Sequence, residues 1–159
     1  MIKDILVHVP TERPVRSVVD GAVSLAVACR AHVDAVAVGY VSESTAYLMD
    51  GGAALASAFE IERERAIGRA EAAISVFETE ARAAGISYAC RTSGAFPAEA
   101  SASLGAAARL YDLTVVLQPE RDRQTYDNTL PREITKQNSE MEADIGAQLS
   151  FSRGPRAIK

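Results

Sequence analysis

Cysteine and histidine are scarce in this 159-residue chain, with two residues of each. Cys29 and Cys90 lie far apart and have no metal or redox spacing, so the sequence predicts two reduced thiols and no disulfide framework. His8 and His32 belong to no zinc-binding or serine-hydrolase pattern. His8, inside a predicted strand, is interpreted as a core histidine. We therefore expect no metal site and no catalytic residues.

Long apolar runs and a strong excess of one charge are also absent. No apolar segment is long enough to cross a bilayer, and the amino terminus enters a predicted strand without a signal-peptide pattern. The net charge of −4 gives no attraction to nucleic acid or to anionic lipid. We expect a cytoplasmic protein with neither nucleic-acid nor membrane partners. Its length favours a single domain.

Glycine is missing where phosphate binding would use it. No G-x-G-x-x-G motif follows the first predicted strand, so the dinucleotide fingerprint is absent. The segment Glu120–Asp127, after the fourth predicted strand, contains no glycine at all. Glycine allows backbone N–H groups to approach phosphate closely. Glu120 and Asp122 instead place negative charge there.

The remaining sequence alternates between β-rich and helical patterns. The predicted strands are 5–9, 33–41, 86–92 and 113–117. The predicted helices are 14–30, the greater part of 42–84, 97–110, and a last helix with Thr129 as N-cap that runs through Ile134. Gly85 is the predicted C-cap of the long helix. This alternation predicts an α/β fold, an open parallel sheet with helices on both faces.

The composition changes after residue 134. Residues 135–144 are polar and carry no periodic pattern, and 147–152 alternate weakly, as an edge strand would. The sequence therefore predicts an α/β domain over 1–134 and an atypical polar tail over 135–159.

The order and spacing of these segments resemble the universal stress protein family. The matching segments are Ile5–Val9 with Pro10-Thr11 for its first strand and loop, Ala31–Val38 for its second strand, Glu80–Ile86 for the lead into its third, and Asp112–Val116 for its fourth. The amino-terminal domain of double-length members is most similar. The resemblance implies the adenine nucleotide alpha hydrolase-like fold, with five parallel strands in the order 3-2-1-4-5. It also implies dimerisation through the fifth strand and, in some members, binding of ATP or AMP.

Three departures from the family separate this chain from its nucleotide-binding members. Those members carry an aspartate just after the first strand, where this chain has Pro10. They also carry G-x2-G-x9-G-(S/T) after the fourth strand; here the first two glycines align with Leu117 and Glu120, and the final pair with Asn128-Thr129. The apolar fifth strand is missing or replaced by the polar tail. The resemblance with these departures implies a non-enzymatic stress-response domain that binds no ATP and uses no cofactor.

Two modes of action follow from the resemblance. In the first, the domain acts as a homodimer or as half of a tandem pair, and the uncharged edge at 113–117 favours pairing with another chain. The alternative is an adenine-nucleotide-binding module with a degenerate phosphate loop. Open α/β sheets bind ligands beyond the carboxyl ends of their strands, where the strand order reverses. In that alternative the crevice-lining residues would be Pro10, Thr11, Val38, Gly39, Gln118 and Thr129.

Overall fold

The computed structural model describes residues 1–42, 53–120 and 124–136. The strands are β1 (Asp4–Val9), β2 (His32–Tyr40), β3 (Tyr88–Ala95) and β4 (Leu113–Val115). The helices are α1 (Arg16–Cys29), α2 (Ala53–Ala84), α3 (Pro97–Ala108) and α4 (126–136). The predicted edge strand at 147–152 lies outside the described residues, as does the rest of the tail beyond 136.

The four strands form one parallel sheet in the order β3-β2-β1-β4. This is the order that the resemblance implied for the first four strands, and it is confirmed. The chain runs outward from β1 through β2 to β3 and then returns to place β4 on the other side of β1. The strand order therefore reverses between the carboxyl ends of β1 and β4.

Helices cover both faces of the sheet, as predicted. On one face Ile5, Val7 and Val9 pack with α1 and α2, whose Phe77 is fully buried. Alternation along the strands turns the intervening side chains the other way. There, Val38 and Tyr40 pack with α3 and α4 in a second, smaller core.

Several element boundaries differ from the sequence prediction. Helix α1 begins at Arg16, after Pro14, and β3 continues to Ala95 because it pairs with β2 along its whole length. Gly85 has a φ of 65° after α2, which confirms the predicted cap, since glycine adopts this left-handed conformation without steric cost.

The prediction of Thr129 as an N-cap is wrong. Helix α4 begins at 126, and the Thr129 hydroxyl donates to the carbonyl of Tyr126 at 3.0 Å, within the first turn. The Tyr126 N–H has a distant acceptor, the Glu12 carboxylate, at 2.7 Å. A carboxylate at a helix N-terminus satisfies a free N–H and complements the helix dipole, so the helix starts earlier than its local sequence indicates.

Gly39 allows β2 and α2 to approach at backbone distance. A Cβ atom added at this position would lie 2.0 Å from the carbonyl oxygen of Ala66 and 2.3 Å from its carbonyl carbon. The obstacle is helix backbone, which cannot rotate away as a side chain could. The close packing of α2 on the sheet therefore requires glycine at 39.

We expect Gly39→Ala to destabilise the protein by about 1–3 kcal/mol or more, because overpacking displaces α2 from the sheet. The matched control is Gly68→Ala, on the exposed side of the same helix, where an added Cβ meets nothing within 4 Å. That change should stabilise the helix by roughly 0.5–1 kcal/mol. Urea unfolding measures both, and equal effects would contradict the packing role of Gly39.

Candidate functional site

The loop that follows β1 is bound by a carboxylate from α4. The Asp127 Oδ2 atom accepts the N–H of Thr11 at 2.9 Å and the N–H of Glu12 at 2.7 Å. Asp127 is 1% exposed, and it lies where the strand order reverses. The position at which open α/β sheets bind ligands is therefore occupied by a side chain of the protein itself.

A reciprocal contact joins the same two segments. The Glu12 carboxylate accepts the N–H of Tyr126, while the Glu12 N–H donates to Asp127. Each segment thus supplies an acceptor for a backbone donor of the other. These charge-assisted hydrogen bonds fix the start of α4 against the loop after β1.

Arg13 connects the loop after β1 to the segment after β4. Its side chain is 4% exposed and forms an ion pair with Glu120. Its Nη1 also donates to the Gln118 carbonyl at 2.9 Å and to the Asn128 Oδ1 at 3.2 Å. The planar guanidinium can bond all three partners at once because its donors have a fixed geometry.

Asn128 holds the segment after β4 from the other side. Its Oδ1 accepts the Glu120 N–H at 2.5 Å, and its Nδ2 donates to the Glu120 carbonyl at 2.6 Å. The backbone of Glu120 is therefore paired by a side chain of α4. In the resembled family this segment holds the glycines that approach phosphate.

His8 and Tyr40 complete the buried side of the cluster. The His8 Nε2 atom lies 3.3 Å from the Tyr40 hydroxyl and 3.9 Å from Asp127 Oδ1. The Tyr40 and Tyr126 rings lie 5.4 Å apart. His8 is 1% exposed, which confirms its interpretation as a core histidine.

Burial controls the protonation of this cluster. It lowers the pKa of His8 to about 4 and raises the pKa of Asp127 to about 6, although the N–H groups of Glu12 and Thr11 act against the latter shift. Burial, and then the charge of Asp127, raises the pKa of Tyr40. At neutral pH the cluster consists of a neutral imidazole, a phenol and a buried carboxylate.

The structure brings three of the six predicted crevice residues into this network. The Thr11 hydroxyl donates to the Val38 carbonyl at 2.8 Å, which joins the loop to β2. Gln118 takes part through its carbonyl, as acceptor for Arg13.

The other three predicted residues have different surroundings. Pro10 is fully buried. Gly39 is in contact distance of the α2 backbone. Thr129 lines a separate hollow of about 400 Å³ between the start of α3 and α4, together with Tyr40 and Tyr126.

The solved structures that are similar to this chain include two of the universal stress protein family. A protein of the universal stress protein family from Burkholderia pseudomallei shares 20% identity over 71% of this chain and 79% of that one, with a TM-score of 0.44. The universal stress protein UspA from Lactobacillus plantarum shares 15% identity over 85% of this chain and 91% of that one, with a TM-score of 0.50. The chain has the universal stress protein fold. No protein-family model and no curated protein matches the chain.

The universal stress protein fold predicted from the sequence is therefore confirmed, but the residues that close its crevice were not predicted. Arg13 and Asp127 act on partners more than 100 residues away. The one local signal was the run Asp127-Asn128-Thr129, three residue types common at helix starts. It marked a helix terminus without indicating that Asp127 would bond the loop after β1.

Across 1–42, 53–120 and 124–136, no group of three or more His, Cys, Asp or Glu side chains has the arrangement of a metal site. None of the helices in those ranges combines the length and apolarity that a membrane span requires.

The opposite pKa shifts of His8 and Asp127 predict opposite pH effects on stability. Between pH 4 and 6.5 the unfolded His8 binds a proton that the folded one does not, so its contribution to stability rises with pH. Between about pH 4 and 6 the folded Asp127 holds a proton that the unfolded one releases, so its contribution falls with pH. In the unaltered protein the two contributions oppose each other.

We expect two substitutions to separate these contributions. Relative to the unaltered protein, His8→Gln should lose stability as pH rises from 4 to 6.5, and Asp127→Asn should gain stability over the same range. Each change should be roughly 2–3 kcal/mol, at 1.4 kcal/mol per pKa unit. Urea unfolding at a series of pH values measures both slopes. His32→Gln, which changes a half-exposed histidine at the amino end of β2, is the control. If the stability of both variants, relative to the unaltered protein, changed in the same direction with pH, the opposed titrations would be contradicted.

Proposed function

We propose that this chain is a cytoplasmic, non-enzymatic stress-response module of the universal stress protein type, which acts by association and does not bind ATP. The observation that carries the proposal is the closed crevice between β1 and β4. The Asp127 carboxylate accepts hydrogen bonds from the N–H groups of the loop after β1, and Arg13 joins that loop to the segment after β4.

Backbone donors near the crevice already have acceptors within the protein. The N–H groups of Thr11 and Glu12 are bonded to Asp127, that of Glu120 to Asn128, and that of Tyr126 to Glu12. Phosphate groups bind at such backbone donors, especially at helix N-termini. To bind there, ATP would have to break these hydrogen bonds.

Charge also opposes a nucleotide. Among the described residues, Glu12, Glu120 and Asp127 supply three carboxylates around the crevice, and Arg13 forms an ion pair with one of them, Glu120. A triphosphate would add further negative charge in a partly buried position, where screening by solvent is weak. Pro10, in place of the aspartate that holds adenosine in nucleotide-binding members, supplies no side-chain acceptor.

The burial of His8 and Asp127 supports a non-enzymatic role for this crevice. His8 and Asp127 resemble a catalytic pair in type, but each is 1% exposed and they lie 3.9 Å apart. A general base must lie within hydrogen-bond reach of the substrate proton it removes. Asp127 instead accepts the backbone N–H groups of the loop after β1.

We expect titration calorimetry to detect no ATP binding at sub-millimolar concentration. Adenosine is the informative control, because it lacks the phosphates. If adenosine bound and ATP did not, the charge of the phosphates and the already bonded donors around the crevice would alone explain why ATP does not bind. Micromolar affinity for ATP would refute the proposal and favour the alternative of a nucleotide-binding module. Mass spectrometry of the denatured, purified protein tests the same point for nucleotide carried from the cell.

The outer edge of β4 supports an associating role. Within the described part of the chain β4 pairs with β1 and ends the sheet. Leu113 and Val115 are only half-buried there, and Leu110, just before the strand, is 83% exposed. An apolar edge strand without charged residues offers unpaired backbone groups to another chain.

We expect the full chain to be a dimer at tens of micromolar, with a twofold interface as the default arrangement. Light scattering coupled to size exclusion measures the mass directly. A chain ending at residue 136 keeps every residue that the structure describes in α4, and we expect it to differ from the full chain in oligomeric state or solubility. A stable monomer in both forms would contradict association through this edge.

A further inference from the structure

The loop after β1 has the geometry of an anion site. Two consecutive backbone N–H groups, those of Thr11 and Glu12, point at the same oxygen, Asp127 Oδ2, at 2.9 and 2.7 Å. Successive N–H groups that converge in this way form a concavity that favours an anion. The carboxylate seated there belongs to α4 and not to the loop.

Buried polar groups with no hydrogen-bond partner in the described part of the chain lie at and beside this loop. Its second oxygen, Oδ1, has no hydrogen-bond partner among the described residues and lies 3.9 Å from His8 Nε2. The buried guanidinium of Arg13, next in the loop, likewise has an Nε without a partner in the same part of the chain.

We propose that the loop at 11–13 is an oxyanion site whose resident occupant is the carboxylate of Asp127, and that a small external oxyanion binds there once that carboxylate is removed. This inference deepens the proposed loss of nucleotide binding and rests on it. It adds that a side chain of the protein itself fills the loop after β1, beside the glycine-free segment after β4.

The protein contains a matched control for this proposal at the other end of β1. The Asp112 Oδ2 atom accepts the N–H groups of Lys3 and Asp4 at 2.7 and 3.1 Å, which is the same two-donor pattern. Asp112, however, is an exposed residue. Removing its carboxylate leaves donors open to water, whereas removing that of Asp127 leaves an enclosed space.

The experiment compares Asp127→Ala with Asp112→Ala and with the unaltered protein, using formate as the probe. Formate has the size and charge of the carboxylate that Asp127→Ala removes. Thermal unfolding is followed at neutral pH while formate replaces chloride at constant ionic strength. We expect Asp127→Ala to be less stable in chloride and to show a saturable rise in Tm, roughly 3–5 °C at ten times the Kd. The other two proteins should show no saturable response.

Inorganic phosphate is a second probe in the same assay and tests whether the opened site accepts a tetrahedral oxyanion. Amide chemical shifts of Thr11 and Glu12 should move with the added anion in Asp127→Ala alone. If this variant is unfolded in chloride, formate must restore its circular dichroism. A failure of formate to restore it, or equal Tm responses in all three proteins, would overturn the proposal.

The outcomes separate this inference from the proposed function. ATP binding by the unaltered protein would refute the proposed function whatever formate does to the variant. Absence of rescue in Asp127→Ala would refute the oxyanion site, and the calorimetric result with ATP would stand unchanged.

Discussion

The fold depends on the fixing of β1, the central strand, by an aspartate at each end. Asp112 accepts two consecutive N–H groups at the start of the strand, and Asp127 accepts two after its end. Both carboxylates come from the segment that contains β4 and the start of α4, more than 100 residues along the chain. Because backbone donors at strand ends need acceptors, these contacts join the β4 and α4 segments to the two ends of β1.

The two ends differ in how their carboxylates are solvated. The N–H groups of Lys3 and Asp4 lower the pKa of the exposed Asp112, as expected of a carboxylate that accepts hydrogen bonds. At the other end, burial raises the pKa of Asp127 despite its two bonds. Removing the buried carboxylate would leave the N–H groups of Thr11 and Glu12 in a cavity without an acceptor, which is costly. The end of β1 that lies at the crevice is thus the one closed most tightly.

The sequence was sufficient to predict the sheet but not the hydrogen-bonded residues of the crevice, and the reason is physical. Strands such as Asp4–Val9 and helices such as Pro97–Ala108 follow from hydrophobic spacing and turn residues that are local in sequence. The crevice depends on pairs such as Asp127 with Thr11, which only the folded sheet brings together. Thr129 shows the limit directly: a local capping rule selected it, while a carboxylate from Glu12 determined where the helix begins.

The glycine-free segment after β4 and the carboxylates around the crevice are physically linked. A segment without glycine presents its backbone N–H groups to phosphate poorly, but donors shielded from water still need acceptors. In this protein side-chain oxygens meet that need: Asp127 for the loop after β1, Glu12 for α4, and Asn128 for the segment after β4. Two of these residues, Glu12 and Asp127, are also among the negative charges that would repel a nucleotide. On the proposal that the chain binds no ATP, the carboxylates that oppose a nucleotide are thus also those that accept the backbone N–H groups around the crevice.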